Sequence, residues 1–195
     1  FEGKFGKANQ ILIEEFLTGE EMSFFIISDG ETYREFGTAQ DHKRVLEGDK
    51  GKNTGGMGAY SPSRLTDKNL EQKILKKIIE PTLLALNNMG SKYIGFLYAG
   101  LMVKDNEPYL IEYNVRMGDP ETEVVLPRVK SDLLELLIAL GDGVLDNYNI
   151  LIDTRKAATV FLVSGGYPEQ YEKHKQIYGL DSIVDSLVFH AGAIY

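Results

Sequence analysis

Long apolar runs interrupted by short polar turns predict antiparallel hairpins in the chain. Residues 22–37, MSFFIISDGETYREFG, are apolar before Asp29 and Gly30, which are residue types that favour a tight two-residue turn. Residues 93–114, YIGFLYAGLMVKDNEPYLIEYN, repeat this arrangement around a turn at residues 105–106. We therefore predict two hairpins with long strands.

Apolar residues at every fourth position predict a first helix that contains Leu70, Ile74 and Ile78. Thr66 is the predicted N-cap, because its hydroxyl can accept a hydrogen bond from the first turn. Pro81 lacks a backbone N–H, so we expect the helix to kink or break just before it.

A second helix is predicted after Ser131, which is its predicted N-cap. Glycines within residues 141–143 would end this helix. The leucines that would share one of its faces are Leu133, Leu137 and Leu140.

The order of these elements predicts a fold class and a domain boundary. Residues 40–62 are polar and rich in glycine without a regular period, so we predict a long loop there. A buried-type strand, KAATVFLVSGG, then opens a region of strand and loop. We place a first domain at residues 1–150 and the start of a small β-rich domain at residues 151–195. Antiparallel hairpins with separate helices favour an α+β fold over a doubly wound parallel sheet.

Composition and charge narrow the classes of partner. The residues are 43% hydrophobic and 26% charged, the net charge is −8, and there is no cysteine. An acidic chain lacks the basic surface that binds phosphates, so we expect no nucleic-acid partner. No apolar run approaches the roughly 18 residues of a membrane span, so we expect no membrane partner. The lack of cysteine excludes thiolate chemistry and fits a cytoplasmic location.

The strand end IEYNVR carries the first candidate for chemistry. Glu112 and Asn114 are two residues apart on a predicted strand, so their side chains should project from the same face. A carboxylate and an amide oxygen are suitable ligands for Mg²⁺. Arg116 would extend the row if the strand continued, which is the pattern of a phosphate site with its metal. The alternative is a solvated strand face.

Two further segments have both a structural and a functional interpretation. In GDPETE, the Asp119-Pro120 turn is either a rigid surface turn or a holder that aims Asp119 and Glu121 at an amine or hydroxyl. In NTGGMGAYSP, closely spaced glycines make either a flexible loop or a backbone that approaches a ligand. Upstream QDHKR adds Lys43 and Arg44 as candidate phosphate ligands. No GxxxxGK[ST] phosphate-binding loop is present.

The segment IEEFLTGEE is also ambiguous, because it fits an acidic hairpin end or a hinge strand whose backbone binds an adenine edge. Taken together, five segments resemble the ATP-grasp ligases, and within them the phosphoribosylamine–glycine ligase family. They occur in the order ILIEEFLTGEEMSFF, AQDHKRVLEGDKGKNTGGMGAYSP, YIGFLYAGLM, YLIEYNVRMGDPETE and FLVSGGYP. The resemblance covers nearly the whole chain.

The resemblance implies an ATP-grasp fold and a reaction of purine biosynthesis, in which ATP, glycine and 5-phosphoribosylamine give glycinamide ribonucleotide, ADP and phosphate. It implies ATP binding by Glu14, Glu15, Phe16, Leu17 and Glu21. It implies Mg²⁺ or Mn²⁺ binding by Glu112 and Asn114, and catalytic roles for Arg116 and Lys43. The residues implied at the substrate end are Asp41, Asn53, Thr54, Gly55, Gly56, Asp119, Pro120 and Glu121.

Two departures from the family pattern qualify these expectations. The strand LYAGLM carries no acidic residue where many ATP-grasp enzymes have another metal ligand, so we expect few protein ligands. The chain opens at Phe1 without the family's N-terminal domain, so we expect a piece of a longer protein, a partner in that domain, and little ligase activity from the piece alone. The open alternatives are a non-catalytic nucleotide-binding module and a ligase that uses another amine.

Overall fold

The computed structural model describes Gly6 and residues 10–194, which form an antiparallel sheet with helices on both of its faces. The strands are β1 (Glu20–Asp29), β2 (Tyr33–Asp41), β3 (Arg44–Leu46), β4 (Lys50–Asn53), β5 (Gly58–Ser61), β6 (Ile94–Lys104), β7 (Glu107–Asn114) and β8 (Ala157–Val160). Six of them form one sheet in the order β7-β6-β1-β2-β5-β8, and β3 pairs with β4 outside it. The predicted α+β class is confirmed.

Short helices connect and cover the strands. The α-helices are α1 (Lys68–Ile74), α2 (Glu80–Asn88), α3 (Thr122–Val125) and α4 (Leu133–Gly141). A π-helical segment, Leu75–Ile79, joins α1 to α2, and 3₁₀ turns occupy Leu126–Arg128, Leu145–Asn147 and Leu180–Ser182. Within the described ranges, every helix is too short or too polar to cross a membrane.

Both predicted hairpins are confirmed, but the first turn is longer than the predicted two residues, because Ser28 pairs with Tyr33 and residues 29–32 lie between them. Gly30 has a φ of 91°, and the Asp29 carboxylate accepts the backbone N–H of Thr32 at 2.7 Å. In the second hairpin Asp105 and Asn106 have φ of 52° and 58°, the left-handed values that a tight hairpin turn requires. The two hairpins lie side by side in the sheet, because β1 pairs with β2 on one side and with β6 on the other.

Strand β1 is buried on both faces, since successive side chains point to opposite sides of the sheet. Phe24 and Ile26 pack into one core cluster with side chains of α1 and the π-helical segment. Phe25 and Ile27 pack into a second cluster with side chains of α3 and α4. This double burial explains the continuous apolar run that predicted the strand.

The first helix begins one residue later than predicted, because an aspartate is its N-cap. The Asp67 carboxylate accepts the backbone N–H of Leu70 at 2.8 Å. The hydroxyl of Thr66, the predicted cap, lies 2.8 Å from the hydroxyl of Thr38 in β2 instead. Thr66 was the predicted N-cap, but its hydroxyl is used in a tertiary contact with β2.

The second helix shows the same correction. Asp132 is its N-cap and accepts the N–H groups of Leu134 and Glu135 at 2.8 and 3.1 Å. The hydroxyl of Ser131 accepts the N–H of Leu151 at 2.7 Å, so it is committed to the segment after the helix.

The predicted interruption before Pro81 is confirmed as the π-helical segment. Because Pro81 has no N–H to donate, the α-helical hydrogen-bond ladder does not continue through it. The hydroxyl of Tyr113 in β7 donates to the carbonyl of Ile78 at 3.1 Å and lies 2.7 Å from the hydroxyl of Thr82. These contacts fasten β7 to the interrupted helix.

The prediction of a loop over residues 40–62 is wrong, since β3, β4 and β5 lie within it. Strands β3 and β4 lie outside the main sheet and are largely exposed, so they need no apolar alternation. Strand β5 is buried, but Gly58 and Ala59 are small and give little hydrophobic signal. The N–H of Thr54 donates to the carbonyl of Lys43 at 2.7 Å, which closes the open end of the β3–β4 hairpin.

The region after residue 150 contains less strand than predicted. Strand β8 pairs with β5 at the edge of the main sheet, with Thr159 opposite Ala59. Among the described residues 161–194, one 3₁₀ turn is present and no strand. Leu162 is 95% exposed, so the apolar residues that suggested strands lack a covering layer in this part of the structure. The domain boundary near residue 150 stays a prediction.

The carboxylate of Asp29 gives a testable link between turn and core. It accepts N–H groups from the turn and from Leu145, the latter at 3.1 Å. Burial raises the pKa of Asp29, but the backbone hydrogen bonds lower it more, so the pKa lies below its usual value. We expect Asp29→Asn to reduce the free energy of unfolding in urea by about 2 kcal/mol at neutral pH.

The pH dependence has a defined sign. A carboxyl whose pKa is lowered by folding stabilises the folded state fully at a pH above its pKa in the unfolded chain, which is about 4. This contribution to the free energy of unfolding is lost as the pH falls through the pKa of the folded state. The difference between wild type and Asp29→Asn should therefore shrink below about pH 4. Exposed Asp185→Asn is the matched control. Equal effects of the two substitutions would contradict the assignment.

Candidate active site

A polar cavity of about 150 Å³ lies on the sheet where β1, β6 and β7 run side by side. Its walls combine charged groups from β1, from β7 and from the end of β2 and the residues after it with small residues that leave room. The lining residues are Glu21, Met22, Ser23, Asp41, Lys43, Tyr98, Gly100, Leu101, Ile111 and Glu112.

The predicted metal pair is brought together on β7. The Nδ2 of Asn114 donates to Oε1 of Glu112 at 3.0 Å, so the two side chains do share a face. Gly100 lies opposite Glu112 on β6, and a Cβ added to Gly100 would lie 3.3 Å from Cγ of Glu112. The glycine in LYAGLM therefore gives the carboxylate room to lie over the neighbouring strand.

The oxygen donors at this place fit a hard divalent cation. Glu112 is exposed and Asn114 is half-buried, so both can reach a metal that also keeps water and phosphate ligands. Within residues 10–194, no group of three or more His, Asp or Glu is placed to hold a metal by itself. The geometry thus suits a metal that binds together with a phosphate-bearing substrate.

Arg116 is not part of the row that the sequence suggested. Strand β7 ends at Asn114, and the next residues form a bend. The guanidinium of Arg116 is exposed and donates to the carbonyl of Met117 at 2.9 Å. The condition under which Arg116 would extend the row, a strand that continues to it, is not met, although the residue follows closely on the strand that carries Glu112.

Lys43 is held by two carboxylates at the rim of the cavity. Its Nζ lies 2.7 Å from Oε2 of Glu21 and 3.7 Å from Oδ2 of Asp41. Burial by itself lowers the pKa of Lys43, but the hydrogen bond to Glu21 and the charge of Asp41 raise it overall. Burial raises the pKa of Asp41, and the Lys43 charge partly opposes that change.

Glu121 is the deepest carboxylate of the predicted substrate end. The residue is 2% exposed, and its Oε1 accepts the hydroxyl of Ser23 at 2.8 Å. The hydroxyl of Tyr98 lies 3.1 Å from that of Ser23. A Cβ on Gly118 would overlap the Glu121 carboxylate, so glycine is required there for this side chain to fold inward.

The two glycine- and proline-containing segments meet in the structure. Gly56 has a φ of 143°, and a Cβ added to it would overlap Cδ of Pro120. Its N–H donates to the hydroxyl of Thr54 at 3.1 Å. Pro120 is buried and Asp119 is exposed, so of the Asp-Pro-Glu sequence only its first residue faces solvent.

The other predicted positions are more peripheral. Asn53 ends β4 and is exposed, as is Gly55. The hinge segment, Glu14, Glu15, Phe16 and Leu17, has no regular secondary structure, and Phe16 is 90% exposed. Glu21 is the one residue of the predicted nucleotide set that lines the cavity.

Ser23, Tyr98 and Gly118 were not singled out from the sequence. Ser23 could have been found, because it follows Glu21 by two positions and so shares its face of β1. Tyr98 carries no comparable signal, since only the folded chain brings it to Glu121, whereas Gly118 is three residues from Glu121 but nothing in the sequence shows that the side chain folds back over it. Glu123 was also missed: its Oε2 is buried without a hydrogen-bond partner among the described residues, and burial raises its pKa.

Comparison with known proteins decides the family. Residues 1–122, well over half of the chain, match the family described as phosphoribosylglycinamide synthetase, ATP-grasp (A) domain. The chain belongs to this family. The predicted membership and the predicted ATP-grasp fold are confirmed.

Two curated relatives of this family member carry the name phosphoribosylamine–glycine ligase. One from Mesorhizobium japonicum is 48% identical over 195 residues, and one from Salmonella typhimurium is 47% identical over 192 residues. The alignments cover 98% and 96% of this chain but 46% and 45% of the relatives. The chain thus spans a little under half the length of the curated relatives it matches.

Solved structures agree with this placement in the ATP-grasp family. A phosphoribosylamine–glycine ligase from Thermotoga maritima matches with a TM-score of 0.69 and 37% identity, covering 82% of this chain and 40% of that chain. The N5-carboxyaminoimidazole ribonucleotide synthetase of Thermus thermophilus matches with a TM-score of 0.53 and 14% identity, covering 74% and 36%. The second likeness shows the fold alone.

The contact between Gly56 and Pro120 provides a direct test of the site geometry. We expect Gly56→Ala to lower the free energy of unfolding by about 2 kcal/mol or more, because the new Cβ meets Pro120 and the backbone has a φ of 143°. Gly55→Ala is the matched control, since nothing lies within 4 Å of its added Cβ. Urea unfolding measures both. Equal stability of the two variants would contradict the described packing.

Proposed function

We propose that this chain forms the metal and substrate side of the active site in an ATP-dependent ligase that joins glycine to 5-phosphoribosylamine. The products would be glycinamide ribonucleotide, ADP and phosphate. The names of the relatives from Mesorhizobium japonicum and Thermotoga maritima support this proposal. The observation that carries it is one cavity with Glu112, the hydrogen-bond partner of Asn114, at one wall and Glu21, Lys43 and Asp41 at another.

The reaction divides into two displacements. A carboxylate oxygen of glycine attacks the γ-phosphorus of ATP, the bond from that phosphorus to the bridging oxygen breaks, and ADP leaves. The amine of phosphoribosylamine then attacks the carbonyl carbon of glycyl phosphate and expels phosphate, and the amine loses its proton. Both steps depend on positioning and on compensation of developing negative charge.

The ATP end of the proposal rests on β1 and the segment before it. The backbone of Glu15 and Leu17 would contact adenine, and Glu21 would bind the ribose hydroxyls. Because Glu21 pairs with Lys43 at 2.7 Å, the ribose end and the charged rim of the cavity are directly linked. Glu14 and Phe16 would complete this exposed hinge.

Glu112 and Asn114 would hold Mg²⁺ or Mn²⁺, which would supply positive charge to the phosphates of ATP. Lys43 would contribute a second positive charge, and its raised pKa keeps it protonated at neutral pH. Arg116, exposed after the end of β7, would meet the transferring phosphoryl group from the mouth of the cavity.

The amine-bearing substrates would occupy the end of the cavity lined by Asp41, with Glu121 buried behind Ser23. Asp41 and Glu121 are oriented by Lys43 and Ser23 respectively, and both would accept hydrogen bonds from amino groups. The remaining proposed contacts come from Asn53, Thr54, Gly55, Gly56, Asp119 and Pro120, where the glycine-rich segment meets the Asp-Pro turn. The enzyme would be cytoplasmic.

Activity is best tested in a chimaera, because the chain spans 46% of the relative from Mesorhizobium japonicum. The chain replaces the matching segment of that enzyme, and ADP formation is measured with ATP, glycine and phosphoribosylamine. We expect turnover that needs all three substrates. An inactive but folded chimaera, or one that uses other amines equally well, would contradict the proposal.

The metal assignment has its own test in the same chimaera. We expect Glu112→Gln and Asn114→Ala each to lower kcat on the order of 100-fold, because each removes a contribution to charge stabilisation. Raising the Mg²⁺ or Mn²⁺ concentration should restore part of the rate. Glu107→Gln, on the same strand but paired with Lys73 and Lys77, is the control and should leave the rate within about twofold. Metal-independent rates in both site variants would refute the assignment.

A further inference from the structure

The carboxylate of Glu121 is unusually deep for a group that would meet a substrate. Its residue is 2% exposed, and a buried charge is costly unless hydrogen-bond donors and opposite charge compensate it. Ser23, itself 1% exposed, supplies a donor at 2.8 Å. Lys43 supplies positive charge, since the Glu121 charge contributes to the raised pKa of that lysine.

The hydroxyl groups of Ser23 and Tyr98 both make hydrogen bonds to Glu121. Ser23 has a single O–H, and a carboxylate is a stronger acceptor than a phenol oxygen, so Ser23 donates to Glu121. The Oγ of Ser23 also lies 3.1 Å from the hydroxyl of Tyr98, and the phenol makes a side-chain hydrogen bond to Glu121. Burial, and after it the charges of Glu121 and Asp41, raise the pKa of Tyr98, so its hydroxyl remains protonated and able to donate.

Tyr98 is itself rigidly placed. It lies on β6 opposite Phe25 of β1 and opposite Asn114 of β7. Its ring packs against that of Phe25 with centroids 4.9 Å apart. The hydroxyl that contacts Ser23 and Glu121 is therefore carried by a residue paired with the proposed metal strand.

Ser23 occupies a corresponding position on β1. It shares a strand face with Glu21, two residues earlier, and both line the cavity. Glu21 pairs with Lys43 at the proposed nucleotide end, whereas Ser23 binds Glu121 at the proposed substrate end. One strand face thus connects the two ends of the cavity.

We propose that Ser23 and Tyr98, which line the cavity, are positioning residues for Glu121, the buried carboxylate behind them, and that through this carboxylate they set the binding of a substrate amino group. The role rests on the proposed ligase function and adds to it a means of recognising the amine. Neither hydroxyl touches the reacting atoms. Each acts through Glu121, whose inward orientation also requires the glycine at Gly118.

The test uses steady-state kinetics of the chimaera described above. Ser23→Ala and Tyr98→Phe each remove one hydroxyl, and Tyr98→Phe preserves the ring packing on Phe25. We expect each to raise KM for glycine or for phosphoribosylamine about tenfold, with KM for ATP within about twofold, because a hydrogen bond to a charged group is lost only at the amine end. Ser23→Thr, which keeps the hydroxyl, should recover most of the affinity.

A double-mutant cycle and a matched control separate positioning from general loss of stability. Ser23→Ala combined with Glu121→Gln should be no worse than Glu121→Gln alone, since both substitutions break the same contact. Ser28→Ala removes another buried hydroxyl from β1, one that bonds to the carbonyl of Thr32 at 2.9 Å, and should leave every KM unchanged.

The outcomes distinguish the two proposals. An active chimaera whose KM values for glycine and phosphoribosylamine are unchanged in Ser23→Ala and Tyr98→Phe overturns the positioning role and leaves the ligase proposal intact. Equal increases in all three KM values, or in Ser28→Ala as well, also overturn it. An inactive but folded wild-type chimaera overturns the ligase proposal and, with it, a role in binding that substrate.

Discussion

The antiparallel pairing of β1 with β2 on one side and with β6 on the other brings the charged groups of the cavity together. Pairing with β6 brings Tyr98 beside Phe25, and pairing of β6 with β7 brings Gly100 beside Glu112. Because β1 is buried on both faces, its register is strongly constrained: a slip by one residue would exchange the side chains packed in the two cores. The position of Glu21 relative to Glu112 is thus a consequence of core packing.

Charge compensation is the second constraint on the site. Glu21, Asp41 and Glu121 lie around Lys43, and the two that are most buried have different supports. Asp41 has the lysine as its charged neighbour, whereas Glu121 has a neutral donor, Ser23, in direct contact. Replacing Lys43 or Ser23 would leave a buried carboxylate with fewer hydrogen bonds or less opposite charge in a low-dielectric environment. Substitutions at these two residues should therefore strongly destabilise the charged form of that carboxylate.

The sequence pattern predicted the structure correctly where a residue's conformation depends on its neighbours in the chain. The turn at Gly30, the interruption before Pro81 and the shared face of Glu112 and Asn114 follow from backbone geometry or strand periodicity. It failed where a distant group competed for the residue. Thr66 faces Thr38 in place of capping its helix, and Ser131 accepts the N–H of Leu151 in place of capping the second helix.

The amino-acid sequence by itself determined the hairpins, the α+β class, the acidic and oxygen-rich chemistry of the strand end, and a resemblance that led to the family. These depend on residue type and short spacing, which folding does not alter. Tertiary structure alone decided that Gly56 abuts Pro120, that Lys43 pairs with Glu21, and that Ser23 and Tyr98 support Glu121. Those contacts join residues up to 98 positions apart, so they arise only when the strands pair and the cores close.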